Sequence, residues 1–349
     1  MSNVIPERHW ATAETLAVRA AVLENLQECA QGDTVLVACS GGPDSLALAA
    51  ATAFVGKQLG LTTIAVVVDH QLQAGSAEVA QAAASTCEAF GIETVIIAEV
   101  VVGGAGGPEA AARTARYEVL DALASKYEAV AILLGHTLED QAETVLLRLA
   151  RGSGTRSIAA MQVRNGLLLR PLLHLSRQVV HASAQDVCAA IGVTPWQDPH
   201  NQEPRFARVR IRQALDALNA ALGAGFTAGL ARSAELASDD ADALDSWTDE
   251  VFTSLVIFES NSVSADAEQL RQLPKAIRTR VIRRMCVDLG AASDAISMTH
   301  VHAVDALITH WHGQGALSLP SRVTARREYG RLTLTASSAT PTAGDPLAT

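Results

Sequence analysis

The chain has 349 residues, 49% of them hydrophobic, which is length for about two domains and apolar content for a sizeable core. No apolar run approaches the roughly 20 residues of a membrane span, and the first ten residues lack a basic stretch followed by an apolar one, so a cytoplasmic protein without membrane contact is expected. The net charge of −10 excludes a chain that is basic throughout, and five cysteines without a CxxC pair signal neither a zinc site nor a dithiol centre.

Four short runs of β-branched and aliphatic residues are expected as strands, at residues 34–39, 63–68, 94–98 and 130–134. They are nearly continuous in hydrophobicity, as strands buried on both faces should be. Helical patterns at 45–59, 76–90 and 109–126 separate them. Strand alternating with helix predicts right-handed crossovers and a doubly wound parallel α/β sheet. From about residue 206 the strand signals fade and Ala/Leu-rich helical patterns take over. The expected organisation is an N-terminal helical extension at 1–27 and an α/β domain at 28–214. A smaller, mainly helical domain with a terminal hairpin follows at 215–335, then a disordered tail at 336–349. Residues 103–108 are expected to be a flexible loop.

The first strand runs straight into Ser40-Gly41-Gly42-Pro43-Asp44-Ser45, and a helix follows at once. Glycines allow close backbone approach, and a helix N-terminus offers free N–H groups and partial positive charge, so this is a phosphate site. It lacks the Walker lysine. Asp44 would repel phosphates unless it serves a metal or a substrate, so a Mg²⁺ contact is one expectation.

Charge is segregated along the chain. Residues 1–147 hold six Lys/Arg against eighteen Asp/Glu, whereas 148–232 hold eleven arginines against four acids. An acidic stretch follows, and 271–331 then return to ten basic residues against four acidic. Local basic patches, not the total, attract a phosphate backbone.

SGGxDS after a first buried strand resembles the pyrophosphatase loop of the N-type ATP pyrophosphatases, which cleave ATP between the α- and β-phosphates. Further segments narrow the resemblance: Val68-Asp69-His70-Gln71-Leu72, Glu109 to Tyr117, Gly135-His136-Thr137-Leu138-Glu139-Asp140-Gln141-Ala142-Glu143-Thr144, Arg151-Gly152-Ser153-Gly154, Arg170-Pro171-Leu172-Leu173, Asp198-Pro199-His200-Asn201 and Arg208-Val209-Arg210-Ile211-Arg212. In this order the set resembles the tRNA(Ile)-lysidine synthases, over about residues 30–215. The resemblance implies a ligase that adenylates the wobble cytidine of a CAU-anticodon isoleucine tRNA with ATP and Mg²⁺. Free lysine then displaces AMP through its ε-amine. No obligate protein partner is implied.

On this reading Ser40, Gly41, Gly42, Pro43, Asp44, Ser45, Asp69, His70 and Arg116 bind ATP. Asp44, Arg113, His136, Asp140 and Glu143 are candidate catalytic groups, with Asp44 and Asp140 as metal contacts. Arg113, Arg116 and Tyr117 share one helix face, and Asp140 and Glu143 another. The two carboxylates could hold either the lysine ammonium or magnesium. Arg148, Arg151, Arg205, Arg208, Arg210, Arg212 and Arg278 are expected on the tRNA backbone.

Three departures from the family pattern stand out: Gln73 where a basic residue is usual, Glu139-Asp140 where two aspartates are common, and a length too short for the second C-terminal domain of long members. Rival readings fit less well. Thiolating relatives need cysteine pairs or an iron–sulfur cluster. Amidotransferase-type synthetases do not share the GHTLEDQAET and RGSG segments, and a non-catalytic nucleotide-binding module would have no use for Asp44 with the acidic pair.

Overall fold

The computed structural model describes residues 11–71, 75–100, 108–152, 154–197, 203, 207–223 and 225–336, the side chains of 108–110 excepted. Gln73, Arg205, the segment 198–201, the loop 103–107, residues 1–10 and the tail from 337 lie outside the described residues. The chain divides into two compact units, residues 1–238 and 239–349.

The first unit runs α1 (Ala13–Leu26), β1 (Thr34–Cys39), α2 (Pro43–Leu59), β2 (Thr62–Asp69), α3 (Ser76–Ala89), β3 (Thr94–Glu99), α4 (Pro108–Lys126), β4 (Ala129–Leu133), α5 (Leu138–Ala150), α6 (Thr155–Ile158), β5 (Arg164–Asn165), β6 (Leu168–Leu169), α7 (Arg177–Ala189) and α8 (Ala207–Leu222). Its six-stranded sheet has the order β3-β2-β1-β4-β6-β5. All pairings are parallel except β5 with β6. The four expected strands are present. Along β1, Val35, Val37 and Cys39 join the core formed with α1, α2 and α7, while Leu36 and Ala38 join a second core with Leu120 of α4. That two-sided burial explains the unbroken hydrophobicity of these segments.

The order reverses between β1 and β4, whose crossovers leave in opposite directions. Such a switch point opens a crevice beyond the carboxyl ends of the strands. The loops after β1, β2 and β4 carry Ser40–Ser45, His70 and His136.

One boundary differs from expectation where it bears on the site. Helix α2 begins at Pro43 rather than Ser45, with Gly42 as its N-cap. Proline is favoured in the first helical turn because its missing N–H is not needed there. Pro43, Asp44 and Ser45 are therefore the opening turn of a helix, not loop.

In the second unit the expected hairpin is part of a larger sheet. Helix α9 (Phe226–Leu255) leads into β7 (Ile257–Phe258), β8 (Ser262–Asp266), α10 (Ala267–Gln272), α11 (Lys275–Asp288), α12 (Met298–Thr309), β9 (Leu317–Ser318), β10 (Val323–Glu328) and β11 (Arg331–Ala336). The strands form an antiparallel sheet of order β7-β8-β11-β10-β9. Strands of two to six residues, with three helices between β8 and its partner β11, leave little periodicity to detect. Val263, Ala265, Leu332 and Leu334 of this sheet pack with Ile277, Val281 and Val304 of α11 and α12. Among the described residues no single helix is long and apolar enough to cross a membrane.

Candidate active site at the switch point

The phosphate loop is held by its own hydroxyls. Ser45 Oγ accepts from Ser40 N at 3.1 Å, donates to Gly42 O at 2.9 Å, and lies 3.3 Å from Ser40 Oγ. Gly41 has φ +80°, which only glycine adopts without strain, and a Cβ there would sit 3.2 Å from that of Ala83. Its carbonyl accepts from Trp196 N at 3.0 Å, tying the loop to the segment after α7.

Gly135 closes the other side. A Cβ at 135 would lie 3.1 Å from Asp44 O and 3.3 Å from Ser45 N, both backbone atoms that cannot rotate away. Gly135→Ala is therefore expected to push the loop outward and raise the KM for ATP by about tenfold, since sub-ångström misplacement of a reacting group is costly. An unchanged KM in a pyrophosphate-release assay would mean that the loop yields freely.

Asp44 sits in the first turn of α2 with its Oδ1 buried and without a hydrogen-bond partner. Nε2 of His181 on α7 is 3.1 Å away but not aligned to donate. An uncompensated carboxylate oxygen beside a phosphate loop suits a divalent cation, which Mg²⁺ binding through one or two carboxylates plus phosphate oxygens would supply. Asp140 does not suit one. Its Oδ2 accepts from Thr137 N at 2.8 Å and Thr137 Oγ1 at 3.0 Å, the capping box of α5, and its Oδ1 pairs with Arg177 at 3.1 Å. Both oxygens are engaged, so the expected metal role of Asp140 gives way to an ion pair. Among the described residues no three His, Cys, Asp or Glu side chains converge as a metal site.

Arg177 is the residue that sequence reading missed. Its Nη2 reaches Asp140 and also Glu143 Oε1 at 3.3 Å, and its backbone N donates to Glu139 Oε2 at 2.7 Å. Glu143 is 3% exposed, and its Oε1 also accepts from Arg212 Nε at 3.0 Å. Burial alone would raise the Asp140 pKa, but Arg177 and the bonds from Thr137 outweigh it and hold the carboxyl below its ordinary range. The Arg177 pKa is raised: burial opposes its charge, but Asp140, Glu143 and Asp44 outweigh that effect.

His70 follows β2 and His136 follows β4, each with a buried Nδ1 that has no hydrogen-bond partner. Burial pushes the His70 pKa down, helped by Arg116 and opposed by Asp69. Burial pushes His136 down to about 3, with Asp140 opposing and Arg170, Arg116 and Arg113 reinforcing. His136 is thus neutral at physiological pH, where it can hydrogen-bond without adding charge. The native state resists protonating it while the unfolded chain takes up a proton below about pH 6.5. Its effect on stability is therefore neutral above about pH 6.5 and increasingly unfavourable as pH falls towards about 3. Melting temperatures from pH 7.5 to 4.5 should fall less steeply in His136→Gln than in the parent chain; parallel curves would count against the buried neutral imidazole.

Asp69 is buried and accepts from Gln71 N at 2.9 Å, which fixes the turn that carries His70. Arg116 lines the cavity, and burial lowers its pKa, opposed by Tyr117 and Cys39 and reinforced by Arg113. Arg113 lies further out, its guanidinium 3.2 Å from Tyr117 Oη and over that ring.

Ser40, Gly42, Asp44, Asp69, His70, Arg116, His136, Asp140, Arg177, Trp196, Arg208 and Arg212 all line one cavity of about 1100 Å³. That is slightly above the usual range of small-molecule sites, about 300–1,000 Å³, and leaves room beside a nucleotide for a second reactant.

The expected tRNA contacts fare unevenly. Arg151 and Arg210 are exposed. Arg148 is turned inward, donating to the carbonyls of Ser157 and Ala160, where it fastens the turn after α5. Arg212 faces the cavity rather than an outer surface. Arg278 is corrected outright: it is 7% exposed, pairs with Asp305 and donates to Leu273 O at 2.9 Å, so it belongs to the core of the second unit. Neighbouring arginines of α11 are likewise engaged. Arg280 and Arg284 meet Asp245 and Asp249 of α9, and Arg283 donates to the carbonyls of Ser293 and Ile296.

Comparison with known proteins agrees with this geometry. A family model described as a PP-loop domain matches residues 15–218, and one described as a TilS substrate binding domain matches 266–333. The tRNA(Ile)-lysidine synthase of Thermobifida fusca is 49% identical over 91% of this chain and 97% of its own length. That of Streptomyces coelicolor is 46% identical over 86% of this chain and 84% of its own. Among solved structures, the U34-tRNA thiolase NcsA of Methanococcus maripaludis, with its [4Fe-4S] cluster, superposes with a TM-score of 0.54 at 18% identity over 65% of this chain and 79% of its own, a likeness of fold.

Proposed function

The chain belongs to the tRNA(Ile)-lysidine synthase family, and on that premise we propose that it joins free L-lysine to the wobble cytidine of a CAU-anticodon isoleucine tRNA at the expense of ATP. It is an ATP-consuming ligase. The observation that carries the reading is the juxtaposition in one cavity of an anion site with a carboxylate already holding a cation. The anion site is Ser40, Gly42, Pro43, Asp44, Ser45 and Arg116, and the carboxylate is Asp140, whose partner Arg177 also holds the buried Glu143.

In the first step the carbonyl oxygen of the cytosine base attacks the α-phosphorus of ATP and pyrophosphate leaves. The N-terminus of α2 and Arg116 offset the charge on the phosphates. Asp44, through its open Oδ1, would hold a magnesium ion that neutralises charge on the departing pyrophosphate. His136, neutral and buried, offers a hydrogen bond to the adenylate or the base. In the second step the ε-amine of lysine attacks the activated ring carbon and AMP leaves.

Lysine arrives as a cation, and Asp140 and Glu143 are the groups suited to receive it, in exchange with or beside Arg212. Asp140 titrates below the ordinary carboxylate range, which suits it to hold an ammonium rather than to take its proton. We assign the first unit to catalysis and the second to holding the tRNA, in a cytoplasmic protein. Arg151, Arg208 and Arg210 are assigned to the tRNA backbone.

The test is to incubate the purified protein with ATP, Mg²⁺, radiolabelled lysine and an unmodified isoleucine tRNA transcript, with methionine tRNA as control. Alkali-stable label on the isoleucine transcript alone is expected. Pyrophosphate release without label would retain the adenylation and reject lysine as the nucleophile.

A further inference from the structure

The two-residue turn joining β10 and β11 holds the most exposed aromatic residue among those described. Tyr329 has a relative exposure of 101% and touches no core. Glu328 pairs with Arg331 across the turn, and Tyr329 and Gly330 have φ of +49° and +78°, the geometry of a type I′ hairpin. Asn, Asp or Gly is the usual occupant of the first central position, because a bulky side chain there is strained. Tyrosine thus breaks two local preferences, for backbone conformation and for burial. Such violations are expected where a residue serves function rather than folding.

The turn is also fixed in place. Gly330 O accepts from Ala267 N at 2.9 Å, where Asp266 caps α10, so the ring is mounted on a rigid support.

The register of the sheet sets the surroundings. Val323, Ala325, Leu332 and Leu334 face the helices and are buried. The pairs Thr324↔Thr335, Arg326↔Thr333↔Ser264 and Glu328↔Arg331 therefore face the other way. That face presents hydroxyls and arginines beside the tip. Arg331 Nη2 donates to Ser264 Oγ at 3.0 Å, and Arg326 lies 3.5 Å from Glu328 at the surface. Residues 322–331 contain four arginines and one acid. An aromatic ring on a stiff mount, flanked by guanidinium groups and hydroxyls, has the elements of a single-strand contact: a platform for a base, with cations for the adjoining phosphates.

We propose that Tyr329 stacks on an unpaired base of the tRNA, with Arg326 and Arg331 contacting the neighbouring phosphates. This rests on the tRNA-ligating reading above and assigns one point of contact within the second unit.

The test uses the full chain and measures affinity for the CAU isoleucine transcript by fluorescence anisotropy at several salt concentrations. Base–aromatic stacking predicts a Kd raised about 5- to 100-fold in Tyr329→Asn and changed less than about twofold in Tyr329→Phe. The salt slope should be unaltered by Tyr329→Asn, which removes no charge, and reduced by about one in Arg326→Gln. Because asparagine suits the turn, the melting temperature of Tyr329→Asn should equal or exceed that of the parent, so a loss of affinity cannot come from unfolding.

A Kd within about twofold of the parent in Tyr329→Asn overturns the proposal. If the same variant instead dissociates an oligomer, the ring belongs to a protein contact. A parent chain that binds the transcript yet incorporates no lysine would reject the functional reading alone, and Tyr329→Asn would still decide the stacking. A parent that does not bind the transcript would reject both.

Discussion

Asp44→Ala is expected to lower tRNA-dependent pyrophosphate release by at least about 100-fold, the scale on which enzymes lose rate when a preorganised electrostatic contact to the reacting groups is removed. Folding should change by under about 1 kcal/mol, because the side chain is partly exposed and makes no hydrogen bond. The two readouts separate the role from the structure. His181 lies close to Oδ1, so a lost structural pairing would show as a lower melting temperature with activity reduced in proportion. Pyrophosphate release near the parent rate would remove Asp44 from the mechanism. Asp44→Asn retains shape and hydrogen-bonding capacity but not charge, and it should be nearly as inactive.

Arg177→Gln carries the second large effect. Arg177 neutralises Asp140 and Glu143 together, and Glu143 is almost wholly buried. Removing one partner of a buried ion pair leaves a stranded charge and commonly costs about 3–5 kcal/mol. Arg212 remains on Glu143, and Arg177 is partly exposed, so about 2–3 kcal/mol is the expected loss here. Chemical denaturation should show that loss at pH 7, with part of it recovered in Arg177→Lys. Lysine transfer should suffer beyond what instability explains, with a raised KM for lysine, because the carboxylates proposed to receive it lose their alignment. A variant as stable as the parent would mean that Asp140 and Glu143 are satisfied without Arg177.

The α/β scaffold was legible because each of its central strands carries its own signal: continuous apolar residues ended by a glycine or a polar motif. The phosphate loop was legible for the same reason, since Ser40 to Ser45 are contiguous and their chemistry is local. What escaped was set by contacts between distant segments. Arg177 meets Asp140 and Glu143 across more than thirty residues, and in sequence it is one arginine in an ordinary amphipathic helix. The spacing of Arg177 and His181, one turn apart after Ser176, was the only hint that one face of α7 looks into the cavity. The basic run around Arg278 misled for the converse reason. A basic run reads as a surface until its partners Asp305, Asp245 and Asp249 are brought to it by the fold. The strands β7 and β8 escaped because β7 has only two residues and serines interrupt the apolar positions of β8.

Helix α7 has a consequence for how the two half-reactions are coupled. It packs against both α1 and α2, and its Asp186 is held by the hydroxyls of Thr12 and Thr15 at the start of α1. From its inner face Arg177 grips the carboxylates suited to lysine, and His181 stands beside the one suited to magnesium. A rigid rod that slides or tilts carries both side chains with it. The helix thus acts as a shared strut: its displacement would detune adenylation and transfer in concert, however far away the disturbance began. Helix α1, which reads in sequence as an appendage ahead of the catalytic domain, is the buttress that keeps the strut in place.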